Sequence, residues 1–275
     1  MIKRILVGLG GTEYATTAIN HAVALAQAHD AEATGVSVLD EGRLSSTGPV
    51  PIGGAHYAQQ LAEHRLTKAR EFVERSIEEF SKACQASGVR HQVLREVGEP
   101  FSLMTEQARY HDLMVFGLRS LFEFDLVPDP HDALVRMVQA GIRPLLAVSQ
   151  DFYPIKKVLI AYSGSMESAK TMKHFVQMRL WPDCEVRLLS FEDGGRETTK
   201  LVADAADYCR AHQLAVETDC VKGLPKEQLL PYAESWGADL TVIGNSAKNL
   251  LLRRIFGETA LHAIRNSNRP LFLAQ

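Results

Sequence analysis

The stretch KRILVGLGGTE, Lys3 to Glu13, recurs as KKVLIAYSGSM, Lys156 to Met166. Each is a short basic lead, an apolar run and a small polar turn, with Gly11 matching Gly164. A short run that is apolar throughout is what a strand covered on both faces requires. Three further landmarks repeat in the same order: Gly98-Glu99-Pro100 with Gly223-Leu224-Pro225, HDLMVFG (His111 to Gly117) with ADLTVIG (Ala238 to Gly244), and IRPLLAV (Ile142 to Val148) with NRPLFLA (Asn268 to Ala274). The four offsets are 153, 125, 127 and 126 residues. Apolar strands resemble one another by chance, but chance does not keep their order together with a Gly-x-Pro. The chain is a duplication.

The fall in offset from 153 to 125 places about 28 additional residues early in the first copy. They coincide with a Gly/Pro/Ser-rich loop, Glu41 to Ala55, followed by a long helical stretch from His56 to Gln85. The second copy has FEDGGRE and a shorter helix there. Within each copy the hydrophobic period alternates. Ile5–Gly8 reads as a strand, and Thr12 to Ala28 carries apolar residues at helical spacing (Ala15, Ala18, Ile19, Ala22, Val23, Ala26). Strands follow at Ala33–Leu39, Val89–Val97, Leu113–Phe116 and Leu145–Val148, with helices after Pro100 and around Asp132–Gln139. This alternation predicts right-handed crossovers and two tandem doubly wound parallel five-stranded sheets, flavodoxin-like, of strand order 3-2-1-4-5. The expected domains are residues 1–151 and 154–275. Each fifth strand (Pro144–Val148, Pro270–Ala274) would be an exposed apolar edge, so the two are expected to pair antiparallel as an internal pseudo-dimer.

Composition excludes several classes. No run approaches the 18 apolar residues of a membrane span, and Ile5–Leu9 is too short for a signal peptide, so a cytoplasmic location is expected. Cys84, Cys184, Cys209 and Cys220 form no CxxC pair and read as small buried residues. No HExxH or zinc-type spacing occurs, and no metal is expected beyond a magnesium carried by a nucleotide. A net charge of −3 without a basic run speaks against nucleic acid. The charge is uneven. Residues 1–151 hold 14 Lys+Arg against 19 Asp+Glu and residues 152–275 hold 16 against 14, so a polyphosphate is drawn to the second half.

In an open parallel sheet, ligands sit beyond the carboxyl ends of the strands, where strand order reverses. The loops in question in the second copy are Tyr162-Ser163-Gly164-Ser165 and GNSAKNLLLRRIFGET, Gly244 to Thr259. The latter ends at a helix start, whose unsatisfied N–H groups and dipole favour anions. Here the chain resembles the universal stress protein family in its tandem form. ATP-binding members of that family carry Gly-x-x-Gly, nine residues, then Gly-Ser/Thr after the fourth strand. Gly244 takes the first glycine's place, Ala247 the second's and Gly257 the third's; Glu258 stands at the Ser/Thr place, with Thr259 beside it. The family's base-contacting Asp after the first strand is Ser163 here and Gly10 in the first copy. The resemblance implies a nucleotide site at Ser163, Gly164, Ser165, Gly244, Asn245, Ala247, Gly257, Glu258 and Thr259, taking ATP or a related adenine nucleotide. The first copy's loop, Leu118 to Ala133, has no further glycine, carries Glu123, Asp125, Asp129 and Asp132, and puts Pro130, His131 and Asp132 at the places of Gly257, Glu258 and Thr259. Its site is expected to be lost.

Plainer roles stand beside these. Gly257 suits a helix N-cap, Ser163 and Ser165 suit a capped turn, and Lys248, Arg253 and Arg254 suit solvated loop charges, phosphate partners or a subunit interface. Glu258 is stabilised in a first helical turn while competing with phosphate for the same donors. No catalytic apparatus is legible. GLGGTE lacks the third glycine of GxGxxG because Glu13 falls there, and neither GxSxG nor GxxxxGK[ST] occurs. The expected function is a stress-response regulator that binds adenine nucleotide without efficient turnover. A scaffold acting on an unidentified protein partner, with both sites lost, and a nucleotide hydrolase of related fold are the alternatives. Homodimerisation of whole chains is open.

Overall fold

The computed structural model describes residues 2–10, 13–46, 53–98, 100–118, 137, 144–192, 196–244 and 257–274. The first half runs β1 (Arg4–Gly8), α1 (Ala15–His29), β2 (Glu32–Leu39), α2 (Glu41–Ser45), α3 (Ala55–Ala86), β3 (His91–Val97), α4 (Pro100–Ala108), β4 (Leu113–Gly117) and β5 (Leu145–Val148). The second runs β6 (Lys157–Ala161), α5 (Met166–Met178), β7 (Glu185–Glu192), α6 (Arg196–Ala211), β8 (Ala215–Lys222), α7 (Pro225–Trp236), β9 (Leu240–Gly244), α8 (Glu258–Asn266) and β10 (Leu271–Ala274). The additional length of the first half is largely α3, 32 residues against 16 in α6. The Gly/Pro/Ser-rich segment expected to be all loop opens with the short helix α2, tied to α3 by Arg70 and Glu41 at 2.8 Å. The helix expected around Asp132–Gln139 lies outside the described residues except for Met137, which is buried.

The strands are ordered β3-β2-β1-β4-β5-β10-β9-β6-β7-β8 in one continuous sheet of ten. Within each half the pairing is parallel, in the order 3-2-1-4-5 expected from the sequence. The two fifth strands meet antiparallel, Leu146 opposite Phe272 and Ala147 opposite Leu271, so two five-stranded sheets become one. Both apolar edges are thereby covered.

Side chains alternate across this sheet into two cores. Ile5, Val7, Leu146, Val148 and Phe272 face a layer that includes α1, α3, α5 and α6. Leu6, Met114, Leu145, Ala147 and Leu271 face the layer of α4, α7 and α8. Coverage on both faces is why these strands read as continuous apolar runs. The HDL/ADL landmark also has a structural cause. Asp112 Oδ2 accepts the backbone N–H groups of Lys3 and Arg4 at 2.7 and 2.9 Å, and Asp239 Oδ2 accepts those of Lys156 and Lys157, both at 2.9 Å. The carboxylate before each fourth strand fastens the start of each first strand.

Cys84, Cys184 and Cys209 are buried, and burial pushes each thiol up to about 11. Cys220 is half-buried on the outer strand β8, a departure from the fully buried reading. Among the described residues no helix is long and apolar enough to cross a membrane.

Candidate functional site

In the second half, β6 leads to β7 on one side and β9 leads to β10 on the other, while β6 and β9 pair side by side. Their carboxyl ends therefore flank the point where strand order reverses. The loop after β6 turns on Gly164, whose φ of +73° favours glycine. Space is tight as well, since a Cβ there would lie 2.8 Å from Leu201 Cδ1 of α6, which would have to shift. Ser165 then caps α5 from an extended conformation, its Oγ accepting the Ser168 N–H at 3.2 Å. Ser163, Ser165 and Ser168 hydroxyls lie within 3.0, 3.2 and 3.3 Å of one another, and Ser168 Oγ also donates to the Ser165 carbonyl at 2.9 Å. The capping role weighed for Ser165 is the one it performs.

Gly244 closes the site from the other side. A Cβ at this position would fall 3.0 Å from both Ser168 Cα and Thr171 Oγ1 and 3.1 Å from the Glu167 carbonyl. Only a residue without a side chain lets the end of β9 approach the first turn of α5 this closely. Ser163, Gly164, Ser165 and Gly244 thus come together at one corner. Gly257 is the N-cap of α8 in extended conformation, and Glu258 and Thr259 lie in that helix's first turn, Glu258 exposed. The β9–α8–β10 crossover is parallel, so α8 begins at the same edge of the sheet. Asn245 and Ala247, with Lys248, Arg253 and Arg254, lie outside the described residues.

The electrostatics are mixed. Helix N-termini favour an anion, yet Glu167 opens α5 and Glu258 opens α8. Tyr162, just ahead of the turn, packs into the core instead, where burial and then the Asp204 charge raise its hydroxyl above the ordinary value. Ser168, Thr171 and Leu201 were not singled out from the sequence. Ser168 is three residues after the cap, where a capping box would place Glu or Gln, so a serine there left no sequence signal. Thr171 and Leu201 carried no local signal, because each acts on a residue distant in the chain.

In the first half the strand ends below the corresponding corner are tightly packed. A Cβ at Gly8 would lie 2.2 Å from Phe116 Cδ1, and Leu9 and Leu118, at the places of Tyr162 and Asn245, are 0% and 1% exposed. The expected acidic loop beyond Leu118 lies outside the described residues.

Two doubly wound α/β domains, each with a crevice where strand order reverses, define the class. The sequence model of the universal stress protein family matches residues 1–124 and 154–275, so the chain belongs to that family, in tandem form. It is similar to a universal stress protein of Methanocaldococcus jannaschii, 25% identical over 142 residues, covering 44% of this chain and 82% of that one. Its fold matches over its whole length that of a universal stress protein from Archaeoglobus fulgidus, with a TM-score of 0.73, 15% identity and coverage of 99% of this chain and 96% of the other. A universal stress protein solved in complex with cAMP matches over 45% of this chain and 98% of its own, at 20% identity and a TM-score of 0.39.

Proposed function

We propose that the second half, residues 154–275, binds ATP or a related adenine nucleotide between the loops after β6 and β9, without efficient turnover, and that the chain acts as a regulatory stress-response protein in the cytoplasm. The observation that carries this reading is the contact of Gly244 with the first turn of α5, which brings the loops after β6 and β9 together at the switch point. Ser163, Ser165, Gly244 and the first turn of α8 from Gly257 would hold the ligand. The hydroxyls can donate or accept, and the backbone N–H groups at a helix start suit phosphate. Family membership supports the stress-response role.

The test is stoichiometry. Nucleotide released from acid-quenched purified protein is identified by chromatography, and nucleotide-free protein is titrated with ATP by calorimetry. One site per chain supports the reading. Two equivalent sites, or no binding at millimolar ATP, overturns it. Turnover on the order of 1 per second, an ordinary enzymatic rate, overturns the binding-only part.

A second reading has its own observation. Glu258 puts a carboxylate where phosphate would meet α8, and in the first half Leu9, Phe116 and Leu118 are buried apolar side chains at the ends of β1 and β4. On that reading both sites are lost and the chain works through protein contacts alone. The same titration separates the two.

A further inference from the structure

The segment joining the halves, residues 149–154, is held against the first half by a line of contacts along α1. Glu13, just ahead of the helix, accepts from Gln150 Nε2 at 2.7 Å. Thr17, 3% exposed, donates from Oγ1 to the Gln150 carbonyl at 2.5 Å. His21, one turn further, is 3% exposed and stacks on Phe152, with ring centroids 4.5 Å apart and planes inclined by 39°. On the other side Arg269 lies over the Tyr153 ring at 3.7 Å, fastening the same segment to the second half. The spacing of four keeps Thr17 and His21 on one face of α1. Phe152 itself is 44% exposed, so this joint lies at the surface and has room to open.

His21 is the unusual member. Its Nε2 is buried with no hydrogen-bond partner among the described residues. A neutral imidazole can leave that nitrogen as an unused acceptor, but an imidazolium must donate from both nitrogens. We infer that His21 and Phe152 form an acid-sensitive latch on the inter-domain joint, in which protonation of the ring requires Phe152 and the linker to lift so that water reaches Nε2.

Among the described residues the surroundings offer the cation no partner. The strands and helix around α1 bring Ile5, Val7, Leu113, Val115, Val73 and Phe80 into the shared core. Among charged groups, Glu13 is engaged by Gln150, and Asp151 of the linker is exposed. His29, two turns along, meets the Leu180 carbonyl at 3.1 Å, and buried Cys84 on α3 stays neutral. Burial alone pushes His21 down to about 4, from 6.5. The closed latch therefore rejects a proton that the open latch accepts. Opening becomes easier as pH falls from 6.5 towards 4. The β5–β10 seam contains no titratable side chain among its paired residues and holds across this range.

Hydrogen exchange of the linker amides, followed by mass spectrometry on the full chain and corrected for intrinsic rates, tests the latch. Protection of residues 149–153 is expected to fall about thirty-fold from pH 7.5 to pH 5, the ratio set by a proton affinity near 4 closed and 6.5 open. His21→Leu is expected to keep the protection seen at pH 7.5 and lose the pH dependence. Thr17→Val is expected to weaken protection at every pH while keeping the dependence. A flat wild-type profile, or a His21→Leu profile with the wild-type slope, overturns the inference. If His21→Leu does not fold, the wild-type His21 ring titration by NMR decides: a midpoint near 4 supports the latch, and one near 6.5 overturns it.

Discussion

Thr171 Oγ1, on the second turn of α5, donates a 2.7 Å hydrogen bond to the carbonyl oxygen of Ala274, 103 residues away on the last strand. The same hydroxyl lies 3.0 Å from the Glu167 carbonyl and 3.0 Å from where a Cβ of Gly244 would stand. One buried side chain therefore fastens the helix after the first site loop, the strand before the second, and the edge of the inter-domain seam.

Thr171→Val keeps the shape and removes the donor, leaving a buried carbonyl without its partner. The expected loss is about 1–3 kcal/mol in urea unfolding, with Thr171→Ser retaining most of the stability. Equal stability of wild type and Thr171→Val would show that the Ala274 carbonyl finds another donor.

Gly164→Ala combines two penalties, a left-handed backbone and a Cβ pressed on Leu201. We expect a loss of roughly 1–2 kcal/mol from the backbone, with the clash adding to it. The double substitution with Leu201→Ala should recover the steric part only, giving a non-additive cycle. Simple additivity would mean that Leu201 moves aside at no cost.

Phe272→Ala opens a cavity at the centre of the seam, where Phe272 is fully buried opposite Leu146 and edge-on to Phe175 at 5.4 Å. The expected cost is about 3–5 kcal/mol by chemical denaturation. A loss below 1 kcal/mol would mean that the two halves do not depend on this junction.

On the proposed function, Gly257→Asp separates folding from binding. Aspartate is a preferred N-cap, so α8 should hold or gain stability, while a second carboxylate beside Glu258 should weaken ATP binding at least tenfold. Unchanged affinity in a folded variant places the ligand elsewhere.

Stability should fall in mild acid, with a definite sign. The unfolded chain protonates His21 at its ordinary 6.5, whereas the folded chain resists until about 4, so the unfolded state binds more protons between these values. The loss accumulates as pH falls through that window and reaches roughly 3 kcal/mol at its lower end, at 1.36 kcal/mol per unit. Burial lowers His111 and His174 too, in the same direction. Unfolding curves of wild type and His21→Leu at pH 7.5 and 5 should therefore differ in slope, with a residual slope in the variant. Parallel pH profiles would remove His21 from the account.

The sequence by itself determined the duplication, the order of elements and the pairing of the final strands, because each rests on local pattern. Runs such as Ile5–Gly8 and Leu145–Val148 announce strands buried on both faces, and an apolar fifth strand at an edge has to be covered. It also marked Gly164 and Gly244 by position in the repeat. Tertiary structure alone decided why those glycines are needed: Leu201 crowds one and the first turn of α5 crowds the other. It alone brought Thr171 to Ala274, set the Phe116 ring against Gly8, and laid Phe152 over His21. These contacts join residues tens to more than a hundred positions apart, and neither helical nor strand periodicity carries any trace of a partner that distant. Periodicity records which face of an element is covered; what covers it is settled only when the chain is packed.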